Sequence, residues 1–354
     1  MSLFKTISLA FDADLPVFFW GPPGIGKSAI VRQVAEQRDW TEADRRFVDV
    51  RLSQMEPVDL RGLPALDLAA KKTVWLPPAW LPFEGSDWPD EGVLFLDEAS
   101  SAAPSVQAAA YQLVLDRQLG EARMKPGWRL ALAGNRVSDG GVAFRLAMPL
   151  ANRMLHLVRE APNLSEWTRW ALTQGRIDLL IVGFLQFRPS LLFTFNEALK
   201  ARESAFATPR SWEMVSRLLA IAPKTERGLL EPLIAGAVGA GVATEFMAWM
   251  KMKDKLPNLD ALLAGKPTPA LEKDKLDKGY ACAVALAGRV LEAGEKNREK
   301  AQAASQICVS WLEAADTRYT ALFVNLVRAK RPMLLSGSIH TGWVEKHREL
   351  GWLE

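Results

Sequence analysis

The chain has 354 residues, 49% of them hydrophobic and 24% charged, with 44 basic side chains against 41 acidic ones. That length exceeds what one hydrophobic core supports, so an ordinary globular protein of two domains, or of one domain with a large appendage, is expected. A formal charge of +3 is too weak a bias to point to nucleic acid or to an anionic membrane surface as partner.

In chain order, Asp12 and Asp14 follow a weakly apolar start too soon for a secretory signal. Short apolar runs at 17–20, 47–52, 93–96, 128–133 and 154–158 read as strands, and helical patterns lie between most of them, as at 27–38 and 104–117. The alternation predicts an α/β domain over 1–158 whose mostly parallel sheet is covered on both faces. Beyond residue 160 the strand signals stop. Segments 164–174, 177–186, 209–221, 228–252, 278–293 and 300–328 read as helices, with Thr208 and Pro209 as cap and first turn of the third. The apolar stretch 233–244, about a dozen residues against the roughly 20 a bilayer requires, reads as a packed helix, so no membrane insertion is expected. Pro257, Pro267 and Pro269 among mixed charges mark a linker over 257–274. Cys282 and Cys308 read as reduced, buried thiols of a cytoplasmic protein.

Chemistry enters with Gly21, Pro22, Pro23, Gly24, Ile25, Gly26, Lys27, Ser28 and Ala29, which follow a predicted strand and open a predicted helix. The stretch fits G-x-x-x-x-G-K-[ST] at Gly21, Gly26, Lys27 and Ser28. Glycines let successive backbone N–H groups turn into one hollow, and the helix N-terminus adds partial positive charge, so phosphate oxygens are solvated there. Lys27 is then placed for the β- and γ-phosphates of a nucleotide and Ser28 for magnesium. The run 93–96 ends in Asp97 and Glu98, which puts two carboxylates at the C-terminal edge of the sheet. Asp97 suits magnesium, and Glu98 suits the role of general base on the attacking water.

The pairing of this loop with an Asp-Glu strand resembles the AAA+ ATPases. Leu130-Ala131-Leu132-Ala133-Gly134-Asn135 is similar to their polar sensor strand, with Asn135 as the sensor. Pro57-Val58-Asp59-Leu60-Arg61-Gly62 resembles an insertion motif of the MoxR and CbbQ/NorQ branches. Pro149-Leu150-Ala151-Asn152-Arg153-Met154 resembles the MoxR segment whose arginine reaches a neighbouring subunit, although Asn152 and Met154 replace its usual acid and phenylalanine, and Arg136 replaces the proline after the sensor. Ala207-Thr208-Pro209-Arg210-Ser211 is similar to the start of that branch's lid helix, with Arg210 as second sensor. The resemblance spans about residues 15–225 with its motifs in order.

It implies a P-loop NTPase αβα sandwich over 1–158, an all-helical lid over 159–225 and a helical extension over 226–354. It also implies ATP and Mg2+ as ligands, catalytic roles for Glu98, Asn135, Arg153 and Arg210, and a homo-oligomer, as a hexameric ring. Arg145 and Arg136 remain alternatives to Arg153 as the arginine donated in trans. The implied activity is ATP hydrolysis coupled to chaperone-like remodelling of a protein client, with a von Willebrand factor A domain protein as partner. A nucleic-acid motor or an NTPase subunit of a restriction or defence system is the alternative.

Other features read as structural. His156 lies in a strand pattern, and His340 and His347 have no matching ligand set. The tryptophans at 75, 80 and 88 flank a proline-rich loop and read as local packing, and the mixed charges of 266–278 read as a solvated face.

Overall fold

The computed structural model describes residues 3–38, 45–140, 143–174, 177–222, 227–272, 275–336 and 338–347. The chain forms two compact units, Met1–Ala161 and Pro162–Glu354. The first contains α1 (Leu3–Asp12), β1 (Val17–Trp20), α2 (Lys27–Glu36), β2 (Phe47–Arg51), α3 (Pro57–Arg61), β3 (Leu63–Asp67), β4 (Lys72–Leu76) and β5 (Glu91–Asp97). After these come α4 (Pro104–Asp116), the two-residue strands β6 (Gln118–Leu119) and β7 (Ala122–Arg123), β8 (Gly127–Gly134), α5 (Met148–Ala151) and β9 (Leu155–Val158).

The main sheet has five parallel strands in the order β2-β5-β8-β1-β9. Alternation along these strands sends side chains to opposite faces. Val17, Phe19, Val93, Phe95, Ala131 and Ala133 pack with Ile7 and Phe11 of α1 and Val31 and Val34 of α2. Their neighbours Phe18, Leu94, Leu96, Leu130 and Leu132 pack with Leu60 of α3 and Val106, Ala110 and Leu113 of α4. Helices therefore cover both faces, as the sequence pattern predicts. All five expected strands are present. Helix α1 was not expected, although Ile7, Ala10 and Phe11 carry the i, i+3, i+4 spacing of one buried helical face.

The motif at 57–62 has a structural explanation. Pro57 opens α3, the Asp59 carboxylate accepts the Glu56 N–H at 2.8 Å, and Gly62 ends the helix at φ 82°. A Cβ on Gly62 would stand 2.0 Å from the Leu76 carbonyl oxygen, so a side chain there would both strain the backbone and collide with β4. The hairpin of β3 and β4 follows at once. Trp75 lies on it, 40% exposed, and so departs from the expected local packing. Trp88 conforms: it meets Trp128 edge-on at 5.7 Å and donates to the Ala79 carbonyl at 3.0 Å. Trp80 packs against the same core.

The second unit is helical throughout its described residues: α6 (Leu164–Thr173), α7 (Leu179–Phe187), α8 (Phe195–Ala201), α9 (Pro209–Ile221), α10 (Arg227–Val238) and α11 (Ala240–Lys251). It continues with α12 (Leu259–Leu263), α13 (Leu276–Lys296), α14 (Arg298–Glu313), α15 (Thr317–Lys330) and α16 (Ser338–Lys346). The expected helix 228–252 is two helices, because the chain leaves the helical region at Gly239, φ 92°. The expected helix 300–328 is also two, divided where Asp316 caps α15 by accepting the Arg318 N–H at 2.8 Å. Within the expected linker 257–274, α12 is capped by Asn258 and buries Leu259 and Leu262; Lys273 and Asp274 lie outside the described residues. Five residues flanked by prolines are too few to show a period. Phe184 of α7 lies 5.7 Å from Trp212 of α9 and 5.2 Å from Phe246 of α11, so helices on both sides of residue 225 share one core.

Cys282 and Cys308 are free and buried, and burial pushes each thiol up to about 12. They are inert packing residues rather than nucleophiles. Among the described residues no helix is long and apolar enough to cross a membrane.

One buried histidine gives this unit an acid sensitivity. His340 is 3% exposed, its Nε2 lies 2.9 Å from Ser305 Oγ, and its Nδ1 has no hydrogen-bond partner among the described residues. Burial lowers its pKa from 6.5 to about 4. The unfolded chain therefore binds this proton at a higher pH than the folded chain does. The stability from neutral His340 is complete above about pH 6.5 and is lost as pH falls to about 4, a change on the order of 3 kcal/mol. Urea unfolding of the intact protein at pH 7 and pH 4.5 is expected to show this loss, and His340→Gln to flatten the difference.

Candidate functional site

The carboxyl ends of β1, β5 and β8 meet in register: Trp20 pairs with Gly134, and Leu96 with Leu132. Gly21, Asp97 and Asn135 consequently emerge at one edge of the sheet, where open α/β folds bind ligands. Gly26 caps α2 at φ 88°, ψ 28°, a left-handed conformation that glycine adopts without penalty. Gly24 also has positive φ, 79°. No side chain caps α2, so the first-turn N–H groups face outward with the positive end of the helix dipole behind them.

The Lys27 ammonium donates to the carbonyls of Gly21 at 2.7 Å and Pro22 at 3.0 Å, and to Asn135 Oδ1 at 2.7 Å. It thereby ties the loop to the end of β8. Ser28 Oγ donates to Asp97 Oδ2 at 2.7 Å, and Asp97 Oδ1 accepts the Glu98 N–H at 2.8 Å. Four of the residues singled out in the sequence are thus joined in two direct pairs, Lys27 with Asn135 and Ser28 with Asp97.

Glu98 leaves the strand with φ 56°, uncommon for a residue with a Cβ and characteristic of functional positions. Its carboxylate accepts a hydrogen bond from the Ser53 hydroxyl. Sequence reasoning passed over Ser53, which lies just beyond β2. The signal was spatial: Arg51 pairs with Asp97, so the residues that follow β2 run beside Glu98. Ser100 was also missed. It is fully buried, accepts the Asn135 N–H at 2.9 Å and donates to the Asn135 carbonyl at 2.8 Å, which fixes the backbone of that asparagine.

A third carboxylate, Asp49 on β2, has its pKa raised first by burial and then by the nearby charge of Asp97, against the opposing pull of Arg32 3.7 Å away. Asp49, Asp97 and Glu98 thus lie within electrostatic reach of one another, with Arg32 and Arg51 offsetting part of their charge. Ser28 and Asp97 supply hard oxygen donors of the type magnesium prefers. Among the described residues no cluster of three or more His, Cys, Asp or Glu side chains could hold a metal ion. Magnesium at phosphate sites takes only one or two protein oxygens, with phosphate and water completing the shell, so the pair present fits it.

The three arginines considered for a role in trans differ in their bonding. Arg136 pairs with Asp139 at 3.1 Å and Glu160 at 3.1 Å, and its hydrogen bonds to the Asp139 carboxylate raise its pKa. Arg153 is exposed just beyond α5, donating to the Tyr111 hydroxyl at 3.0 Å and the Pro149 carbonyl at 2.8 Å. Arg145 is exposed, with no ion pair or hydrogen bond among the described residues. Arg210 stands exposed in the first turn of α9 in the second unit, where Glu213 pairs with Arg217 and not with it.

Residues 17–139 match the profile of the ATPase family associated with various cellular activities, AAA. This segment is similar to AAA-family domains. It contains the loop, both carboxylates and Asn135, whereas Arg153 and Arg210 lie beyond the matched region. Comparison with curated proteins returned no match. Among solved structures, two mutant forms of RuvB from Thermotoga maritima are similar. One is 17% identical over 69% of this chain and 67% of RuvB, with a TM-score of 0.37. The other is 17% identical over 77% and 79% respectively, with a TM-score of 0.36. Hsp104, in a closed state with ATPγS and casein, is 15% identical over 48% of this chain and 33% of its own, with a TM-score of 0.34. The matched segment includes the loop and four of the five strands of the main sheet, β9 lying just beyond it.

Proposed function

We propose that this protein is a magnesium-dependent ATPase of the MoxR-like AAA+ type, working as a homo-oligomeric ring that remodels a protein client together with a von Willebrand factor A domain partner. The observation that carries the catalytic part is the pairing of Lys27 with Asn135 and of Ser28 with Asp97, each at 2.7 Å, with Glu98 next in the chain. The first-turn amides of α2 and the Lys27 ammonium receive the β- and γ-phosphates. Ser28 and Asp97 hold magnesium, which when bound draws negative charge from the phosphates. Asn135 orients the terminal phosphate or the attacking water, and Glu98 takes the proton from that water.

A positioned cation must still stabilise the charge that develops on the transferred group. Arg153 serves this role from the neighbouring subunit, and Arg210, in the motif at 207–211, is the second sensor. The MoxR assignment, the client-remodelling role and the partner rest on the sequence motifs at 57–62, 149–154 and 207–211.

Lys27→Ala is expected to weaken ATP binding by at least about a hundredfold, since it removes charge-assisted bonds worth roughly 1.5–3 kcal/mol each. Equilibrium binding of a fluorescent ATP analogue to the intact protein measures this. Phosphate release from Mg·ATP, measured alone, with a von Willebrand factor A domain protein and with duplex DNA, tests the broader reading. Stimulation by the protein and not by DNA is the expected result, and stimulation by DNA alone would assign the chain to nucleic-acid motors.

A further inference from the structure

The imidazole of His156 is bonded at both ends. Trp20 Nε1 donates to His156 Nδ1 at 2.7 Å, and His156 Nε2 lies 2.8 Å from the Ala151 carbonyl oxygen. An indole N–H can only donate, so Nδ1 must be the bare nitrogen and Nε2 must carry the proton that reaches Ala151. The ring lies nearly parallel to those of Trp20, with centroids 6.1 Å apart at 15°, and Phe18, with centroids 6.0 Å apart at 25°. A strut that accepts at one end and donates at the other thus runs from the last residue of β1, immediately before Gly21, to the last residue of α5.

Helix α5 has four residues, far below the length at which a helix holds itself, so its place is set by the burial of Leu150 and by its tethers. Ala151 is two residues before Arg153, whose guanidinium is steadied by Tyr111 and Pro149. Moving the Ala151 carbonyl moves the root of that arginine.

We propose that His156 is a positioning residue for Arg153: it fixes α5 against the end of β1 and so aims the guanidinium at the site of the next subunit. This rests on the reading of Arg153 as a cation donated in trans. His156 touches neither nucleotide nor water. It acts through the backbone of α5, and its effect belongs to the neighbour's active site and not to its own. Phenylalanine at 156 would keep a flat aromatic ring and lose both hydrogen bonds, whereas glutamine, with one acceptor and one donor group, can restore them.

The experiment uses full-length subunits carrying different tags, co-expressed and copurified. A Glu98→Gln subunit donates an intact Arg153 but cannot cleave ATP itself; an Arg153→Ala subunit keeps its own site but donates no cation. Their mixture is expected to recover ATP hydrolysis. Adding His156→Phe to the Glu98→Gln subunit is expected to lower the recovered rate about tenfold or more, a small misplacement being costly, and adding it to the Arg153→Ala subunit to change it by less than about twofold. His156→Gln in the donor is expected to restore the rate. Recovery that is equally sensitive to His156→Phe in either subunit, or insensitive in both, overturns the positioning role while leaving Arg153 in place. No recovery in the parent mixture overturns the assignment of Arg153 itself, and this inference with it.

Discussion

Arg153→Ala is expected to leave ATP binding nearly unchanged and to reduce hydrolysis by about three to five orders of magnitude, the range over which a trans-acting arginine accelerates phosphoryl transfer. The side chain is exposed, and its bonds are to one tyrosine hydroxyl and one carbonyl in its own turn. Removing it should cost the fold no more than about 0.5–1 kcal/mol, so a collapse in rate could not be assigned to unfolding. Steady-state phosphate release with a parallel thermal melt separates the two effects. If Arg153→Ala hydrolyses normally and Arg145→Ala does not, the role passes to Arg145, the exposed arginine nearest it in sequence. Arg136 is the weakest alternative, because Asp139 and Glu160 both hold it.

Glu98→Gln is expected to bind Mg·ATP as the natural protein does and to turn it over about 10²–10⁴-fold more slowly, the usual worth of a positioned general base. The amide conserves the shape of the carboxylate and keeps an oxygen to accept the Ser53 hydroxyl, so the left-handed turn at Glu98 should persist. Single-turnover hydrolysis with radiolabelled ATP measures the chemical step apart from product release. An unchanged rate would remove Glu98 from the base role and make Asp97 or an oriented water network the place to look.

The parts of the site legible in the sequence were those whose chemistry is local. The loop from Gly21 to Ser28 declares itself because phosphate binding needs glycines, a lysine and a hydroxyl at fixed spacing, and Asp97 and Glu98 because two carboxylates end a wholly apolar run. The five strands were legible because buried parallel strands are short and apolar between turns. Ser53, Ser100 and Tyr111 were not legible. Each acts on a partner distant in sequence, and which residues meet depends on β5 lying between β2 and β8, a strand order that periodicity does not encode.

Helix ends in the second unit failed for a related reason. Leu233 to Thr244 is apolar throughout, so hydrophobicity gave no hint that the backbone turns at Gly239. Asp316 resembles any solvated acid until its side chain is found capping Arg318. His156 shows the same limit in the site: as a lone histidine on an edge strand it reads as structural, and only the two bonds to Trp20 and Ala151 give it a direction.

The central claim is that ATP seats its triphosphate on the N-terminus of α2 with the terminal phosphate between Lys27 and Asn135. The most direct measurement is a crystal structure of the full chain grown with magnesium and a non-hydrolysable ATP analogue. The γ-phosphate is expected within hydrogen-bonding distance of Lys27 Nζ and the magnesium ion on Ser28 Oγ, with Glu98 facing that phosphate. An analogue bound elsewhere, or bound at the loop with Glu98 turned away from it, would overturn the assignment of this site.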